Sequence, residues 1–308
     1  MRFDGRFQSV ATVLAVVLWG SVTGCGTAPD IDTSPTTPAA SLDVDPFNVV
    51  AADGQYDPPP LLEAIAEGDL DRLRDLLAAG EDVNQHDPVY GTPLVAALQT
   101  REDAIVAAVL EAGANRDGTS AYFLAAGDLT QRVGAPEVRA VADKFAERNQ
   151  LTLRVHDDLP ALLLFDVAGA RGQSLVDQHR LEMIKQGWFL FRFAHDAQRR
   201  QDVIGLLPTS EKYVVLAYLQ TDGLNYNIST ERIIDWLKQL ETEQPFVVTE
   251  AGLDYVGGKF LQRVDDPRQL AERMFAFCPD IVDQGVGSVS NLEKELAKPS
   301  PQLYLWWD

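Results

Sequence analysis

Hydrophobic and polar positions divide this chain into segments of different texture. An unbroken apolar run, Val10 to Trp19, follows Arg2 and Arg6 and precedes the small residues Gly20, Ser21, Thr23 and Gly24. It spans about half of the ~20 residues that a bilayer-crossing helix needs, so the pattern predicts a secretory signal over residues 1–24 and not a permanent span. From Gly26 to about Tyr56 the chain is rich in Pro, Thr, Ser, Ala and Asp. Such a segment buries little apolar surface and predicts a disordered tether over residues 25–56.

Beyond the tether, apolar residues recur at helical spacing. Residues 58–84 and 91–115 superpose at an offset of 33, which aligns Pro60 with Pro93, Leu61 with Leu94, Ala64 with Ala97, Leu73 with Val106, Leu77 with Leu110 and Gly80 with Gly113. Proline in a first helical turn gives up no needed N–H, and glycine suits the left-handed end of a helix. Each copy therefore predicts two helices and a turn, with the array over residues 57–130. Two copies leave apolar faces uncovered. Either residues 119–149 add a degenerate third pair, with Pro136 opening a helix whose Val138, Val141, Ala142 and Phe145 share a face, or the array packs on the domain that follows.

From about Leu151 the texture changes again. Residues 151–155, 161–167 and 188–193 are short β-branched or aromatic runs that predict strands. Ser174 to Gln186 predicts a helix with Leu175, Leu181 and Ile184 inward. Ser229 or Thr230 caps a second, in which Ile233, Trp236, Leu237 and Leu240 fall on one face. Asp266-Pro267 opens a third with Leu270, Met274 and Phe277 inward. Ser290-x-x-Glu293 reads as a capping box before Leu292 and Leu296, and Leu303 to Trp307 as a closing strand. Strands and helices without regular alternation predict an α+β class: a short α-helical array followed by a mixed α+β domain over residues 150–308.

Charge narrows the range of partners. A formal charge of -20 repels a phosphate backbone, so nucleic acid is not an expected partner. Removing residues 1–24 makes the chain more acidic still, because Arg2 and Arg6 outnumber Asp4. Such a chain would not hold an anionic membrane electrostatically, and any anchor must be a lipid.

Three stretches resemble known families. Val22-Thr23-Gly24-Cys25 resembles the lipobox of bacterial lipoproteins. That resemblance implies a diacylglyceryl group on the Cys25 sulfur, cleavage before it, and acylation of the new amino terminus. It places the folded part outside the cytoplasm, attached to a membrane of the cell envelope. Thr92-Pro93-Leu94 and Leu76-Leu77-Ala78-Ala79-Gly80 are similar to the opening and closing signatures of ankyrin repeats, whose period they share. Val95 stands where that family has a histidine. The resemblance implies a protein-docking surface. The ending from Phe277 to Asp308, with the loop Thr221 to Ser229 and Trp236, resembles a bacterial family known as domain of unknown function 4253. That likeness, over roughly residues 150–308, implies a domain boundary and no mechanism.

The most site-like segment is the polar loop from Cys278 to Gly287, carrying Asp280, Asp283 and Gln284, with Asn225 and Tyr226 in the loop upstream. Its carboxylates serve either as backbone caps around a glycine turn or as a catalytic pair. Cys278 has no histidine at a recognisable spacing, and His86, His156, His179 and His195 carry no motif. His179 and Glu182 lie three apart on a helix without the further ligands of a zinc signature. Gly252, Gly257 and Gly258 form no phosphate-binding loop, and Trp188, Trp236, Trp306 and Trp307 read as core. No metal or cofactor is expected. The leading expectation is a lipid-anchored envelope protein that binds another protein, and its rival is a hydrolase-like envelope enzyme using Asp280 and Asp283.

Overall fold

Two helix pairs open the folded part. The computed structural model describes residues 57–169, 171–196 and 200–307, so Cys25 and the segments expected to be a signal and a tether lie outside the described residues. The first pair is α1 (Pro60–Ala66) and α2 (Leu70–Ala78), and the second is α3 (Pro93–Thr100) and α4 (Asp103–Glu111). Pro60 and Pro93 each occupy the first helical turn. Gly80 and Gly113 each follow the second helix of a pair, at φ 94° and 92°, where a Cβ would be strained. The side chains of Asp69 and Thr92 accept backbone N–H groups at the starts of α2 and α3. The loops after the two pairs are joined as well, because Asn84 Oδ1 accepts the Asn115 N–H at 2.7 Å. Leu61, Leu62, Ile65, Leu73, Leu94, Ile105 and Val109 are buried together between the pairs.

Three further helices follow: α5 (Ser120–Gly127), α6 (Leu129–Gly134) and α7 (Pro136–Asn149). Phe123, Leu129, Ala142 and Phe145 turn away from the array into the main core. Val95, in the middle of α3, does the same and is fully buried there. The helix pairs thus cover their last apolar face on the rest of the chain.

The main core surrounds one mixed seven-stranded sheet, and the class is α+β. Its strands are β1 (Leu153–Val155), β2 (Leu163–Ala168), β3 (Phe189–Asp196), β4 (Gln201–Leu207), β5 (Phe246–Ala251), β6 (Tyr255–Phe260) and β7 (Gln302–Trp306). The order is β1-β2-β4-β3-β5-β6-β7, and only the β3–β5 contact is parallel. The connections contain α8 (Gly172–Lys185), α9 (Lys212–Leu219), α10 (Thr230–Glu243), α11 (Pro267–Phe277) and α12 (Val289–Leu296). α8 lies on β3 and β4, α9 packs against α5 and α10, and α11 against α12. Ser229 caps α10, and Asp266 caps α11 through the Gln269 N–H at 2.9 Å. Among the described residues no helix is long and apolar enough to cross a membrane.

Two expectations are corrected. In α8 the buried side chains are Val176, His179 and Met183, beside Gly172 at its start, whereas Leu181 is 59% exposed and Leu175 and Ile184 are only partly buried. The centre of the inward face is a histidine, packed edge-on against Phe145 at 5.6 Å, so counting aliphatic side chains misplaces the face. The cap of α12 is Ser288, not Ser290. Gly287 at φ 81° ends the preceding turn, Ser288 is extended, and its Oγ accepts the Asn291 N–H at 3.2 Å.

The seam between array and sheet domain is polar. Glu231, in the first turn of α10, is only 4% exposed and accepts the Thr92 N–H at 2.7 Å. A neighbouring Asp235 accepts the Thr119 hydroxyl. Gln220 Nε2 donates to Gln99 O at 3.2 Å, and Tyr122 meets Tyr213 at 5.3 Å. Gly91 has φ 75°, and a Cβ there would stand 2.0 Å from Glu231 Oε2. Gly91→Ala is therefore expected to cost about 1–3 kcal/mol, combining left-handed strain with displacement of a buried carboxylate. Urea unfolding of the two chains checks this, and an unchanged midpoint would refute it.

Candidate functional site

The loop before α10 and the segment after α11 come together, as the sequence grouped them. Leu224–Tyr226 forms a single 3-10 turn, and Ile281–Val286 a π-helical turn. Asp280 precedes that turn and is 2% exposed. Its Oδ1 accepts the Tyr226 hydroxyl at 2.5 Å and the Gln284 amide at 2.9 Å. Burial, followed by the hydrogen bond to Asp280, pushes the Tyr226 phenol above its ordinary value. Asp283 and Asn225 are exposed. Three of the five expected side chains thus converge, and of the two aspartates one is buried and the other exposed.

What surrounds this cluster is packing. Trp236 stacks on Phe277 at 4.7 Å and 4°, and Trp307 meets Phe277 edge-on at 5.8 Å. Trp307 lies flat against Gly223, where a Cβ would fall 2.8 Å from its ring. Cys278 is fully buried and accepts the Trp306 N–H at 3.2 Å, while its Sγ–H reaches Trp306 O at 2.9 Å. Burial pushes its thiol up to about 12, so at neutral pH it is a packed, protonated side chain and not a nucleophile. Trp188, Trp236 and Trp307 are core, and Trp306 is partly buried.

Two arrangements were not visible in the sequence. Asp202, wholly buried in β4, accepts the Gly172 N–H at 2.6 Å and has His195 Nδ1 at 2.6 Å. The register that pairs His195 with Asp202 across the β3–β4 hairpin is the only signal that could have found this dyad. It holds the start of α8 to the hairpin.

The other arrangement is a pocket at the seam, with a volume of about 660 Å³. Asn84, Asn115 and Asp117 from the array loops face Thr119, Glu231 and Asp235 across it. His86, in the loop between α2 and α3, brings a ring nitrogen to the two carboxylates, and one donor atom from each of the three lies within 4.8 Å of the others. Burial pushes Glu231 up, with Asp235 adding to the rise, while the Thr92 N–H and His86 oppose it. His179 and Glu182, the spacing noted in the sequence, pair instead with Arg148.

Asp222, in the loop that carries Tyr226, is held at about 6 by burial, with Asp254 adding to the rise and the Leu224 N–H opposing it. A carboxyl raised in the fold contributes stability below its unfolded value near 3.8, and that contribution is lost as pH rises through about 6. Asp222→Asn is expected to stabilise the protein at pH 7.5 by on the order of 1–3 kcal/mol and to change little at pH 4. Urea unfolding at both values checks it; an equal effect at each would refute it. Tyr226→Phe, which strips a donor from buried Asp280, is expected to cost about 1–2 kcal/mol in the same assay, and no loss would show the strut to be idle.

Comparison with known proteins locates part of this architecture in a family. No curated protein and no solved structure matches the chain. Residues 203–308 match the model of the family described as Domain of unknown function (DUF4253). The match begins inside β4, so β1, β2 and β3 lie outside it although they complete the same sheet, as does α8, which packs on that sheet. The loop that holds Tyr226, the Asp280 segment and the terminal tryptophans all lie within a DUF4253 domain.

Proposed function

We propose that this protein is a lipoprotein of the bacterial cell envelope, anchored through acyl chains on Cys25, that binds another protein where its ankyrin-like helices meet the C-terminal domain. The supporting observation is the pocket of about 660 Å³ at that seam. It is walled by loop residues of both helix pairs and by α10, and its lining includes three acidic side chains and no lysine or arginine. Concave, polar and built from two parts of the chain, it is where a partner could read both parts together. The rival reading rests on an aspartate pair at positions 280 and 283. One of these is buried under Tyr226 and Gln284 while the other faces solvent, so that reading gains no support from the geometry.

Several acyl chains on one terminus give stable membrane attachment, since each buried CH₂ contributes roughly 0.8 kcal/mol. Cys25→Ala is expected to remove the added acyl mass and release the chain from the membrane fraction, which intact mass and fractionation measure directly. Asn115→Arg with Asp117→Arg, both exposed at the pocket mouth, is expected to reduce cross-linked partner recovery at least tenfold in membranes. Equal recovery with the double variant would remove the seam as the docking surface.

A further inference from the structure

We propose that His86, Glu231 and Asp235 form a binding site for a first-row divalent cation, of the Zn²⁺ or Mn²⁺ class, that joins the array to the C-terminal domain. The donors come from two distant segments. Glu231 and Asp235 are one turn apart on α10 and share a face, and His86 reaches them from the loop between α2 and α3. Their donor atoms already lie within 4.8 Å of one another, a gathering that small side-chain rotations close to coordination distances. An imidazole beside two carboxylates favours a borderline ion over Ca²⁺ or Mg²⁺, which recruit oxygen alone.

Each carboxylate is also oriented as a metal ligand is. Thr92 donates its N–H to Glu231 Oε2 at 2.7 Å, with its hydroxyl 3.3–3.4 Å from both oxygens, and the Thr119 hydroxyl donates to Asp235 Oδ1. Such outer partners fix a ligand's direction, and Glu231 Oε1, which among the described residues has only the long contact to the Thr92 hydroxyl, keeps a lone pair for an ion. Among the described residues, Asp235 Oδ2 makes no hydrogen bond, and neither carboxylate pairs with a lysine or arginine. Two carboxylates at close range, one of them 4% exposed, repel each other in a medium that screens poorly, and a divalent ion would remove that repulsion. Three protein ligands leave a coordination position open on the side of the pocket.

The test is calorimetric titration of Zn²⁺ and Mn²⁺ into the detergent-solubilised full chain, without an affinity tag and stripped by chelation. It contains no partner protein, so it can fail without touching the protein-binding reading, and the converse holds. The expected result is one ion per chain, a rise of several degrees in the unfolding temperature, and at least tenfold weaker binding in His86→Ala. His86 is exposed, so that variant leaves the core intact, and Asp235→Asn gives a second reading from the other side of the seam. X-ray absorption of the loaded protein should show nitrogen and oxygen ligands with an imidazole signature. Absence of stoichiometric binding, unchanged affinity in both variants, or sulfur in the coordination shell would each overturn the site.

Discussion

A buried carboxylate must be hydrogen-bonded, and in this protein that requirement falls on a residue that helps tie the helical pairs to the sheet domain. Glu231 sits in the first turn of α10 with 4% of its surface exposed, and the groups that satisfy it belong to Thr92, at the start of α3. Gly91 lacks a Cβ because the carboxylate occupies that space. Each side of the seam therefore depends on the other for its polar balance. The apolar balance works the same way: Val95 of α3 and Phe123 of α5 are buried in the core that surrounds the sheet. An array of so few helix pairs would otherwise leave an open end.

The second centre of organisation is the knot formed by the loop before α10 and the last segment of the chain. Gly223 admits the Trp307 ring, Tyr226 and Gln284 hold Asp280, and Cys278 exchanges hydrogen bonds with Trp306. Stacking of Trp236 on Phe277 fixes α10 to α11 at the same place. The glycines, aspartates and tryptophans that give these segments their distinctive letters thus have structural tasks. Asp280 and Asp283 show how little residue type decides here. They are three positions apart, and the π-helical turn that follows Asp280 and contains Asp283 leaves the first buried and the second exposed.

Local patterns in the sequence carried local structure. The echo at an offset of 33 marked the prolines that open α1 and α3 and the glycines that follow α2 and α4, because those residues act on backbone dihedrals within a turn of themselves. Ser229 and Asp266 announced α10 and α11 for the same reason. Where tertiary contact decides, the letters misled. Leu181 has the hydrophobicity of a core residue, yet the inward face of α8 is centred on His179, which packs on Phe145. The site residues divide along the same line. Tyr226 and Asp280 stood in segments conspicuous by composition, whereas no motif marks Glu231 and Asp235. Only the fold brings His86 beside them.

These facts bear on where a binding function can reside. The Asp280 cluster is closed by its own hydrogen bonds and by aromatic packing, so a ligand would have to break stabilising contacts to enter it. At the seam, three acidic side chains, two asparagines and two threonines line a space of about 660 Å³, and among the described residues Glu231 and Asp235 are held by threonines and pair with no lysine or arginine. Charge that a protein leaves uncompensated in a partly enclosed space is free energy available to whatever neutralises it. A ligand that does so contacts the array and the sheet domain together, and it stabilises the same junction on which Glu231 and Thr92 depend.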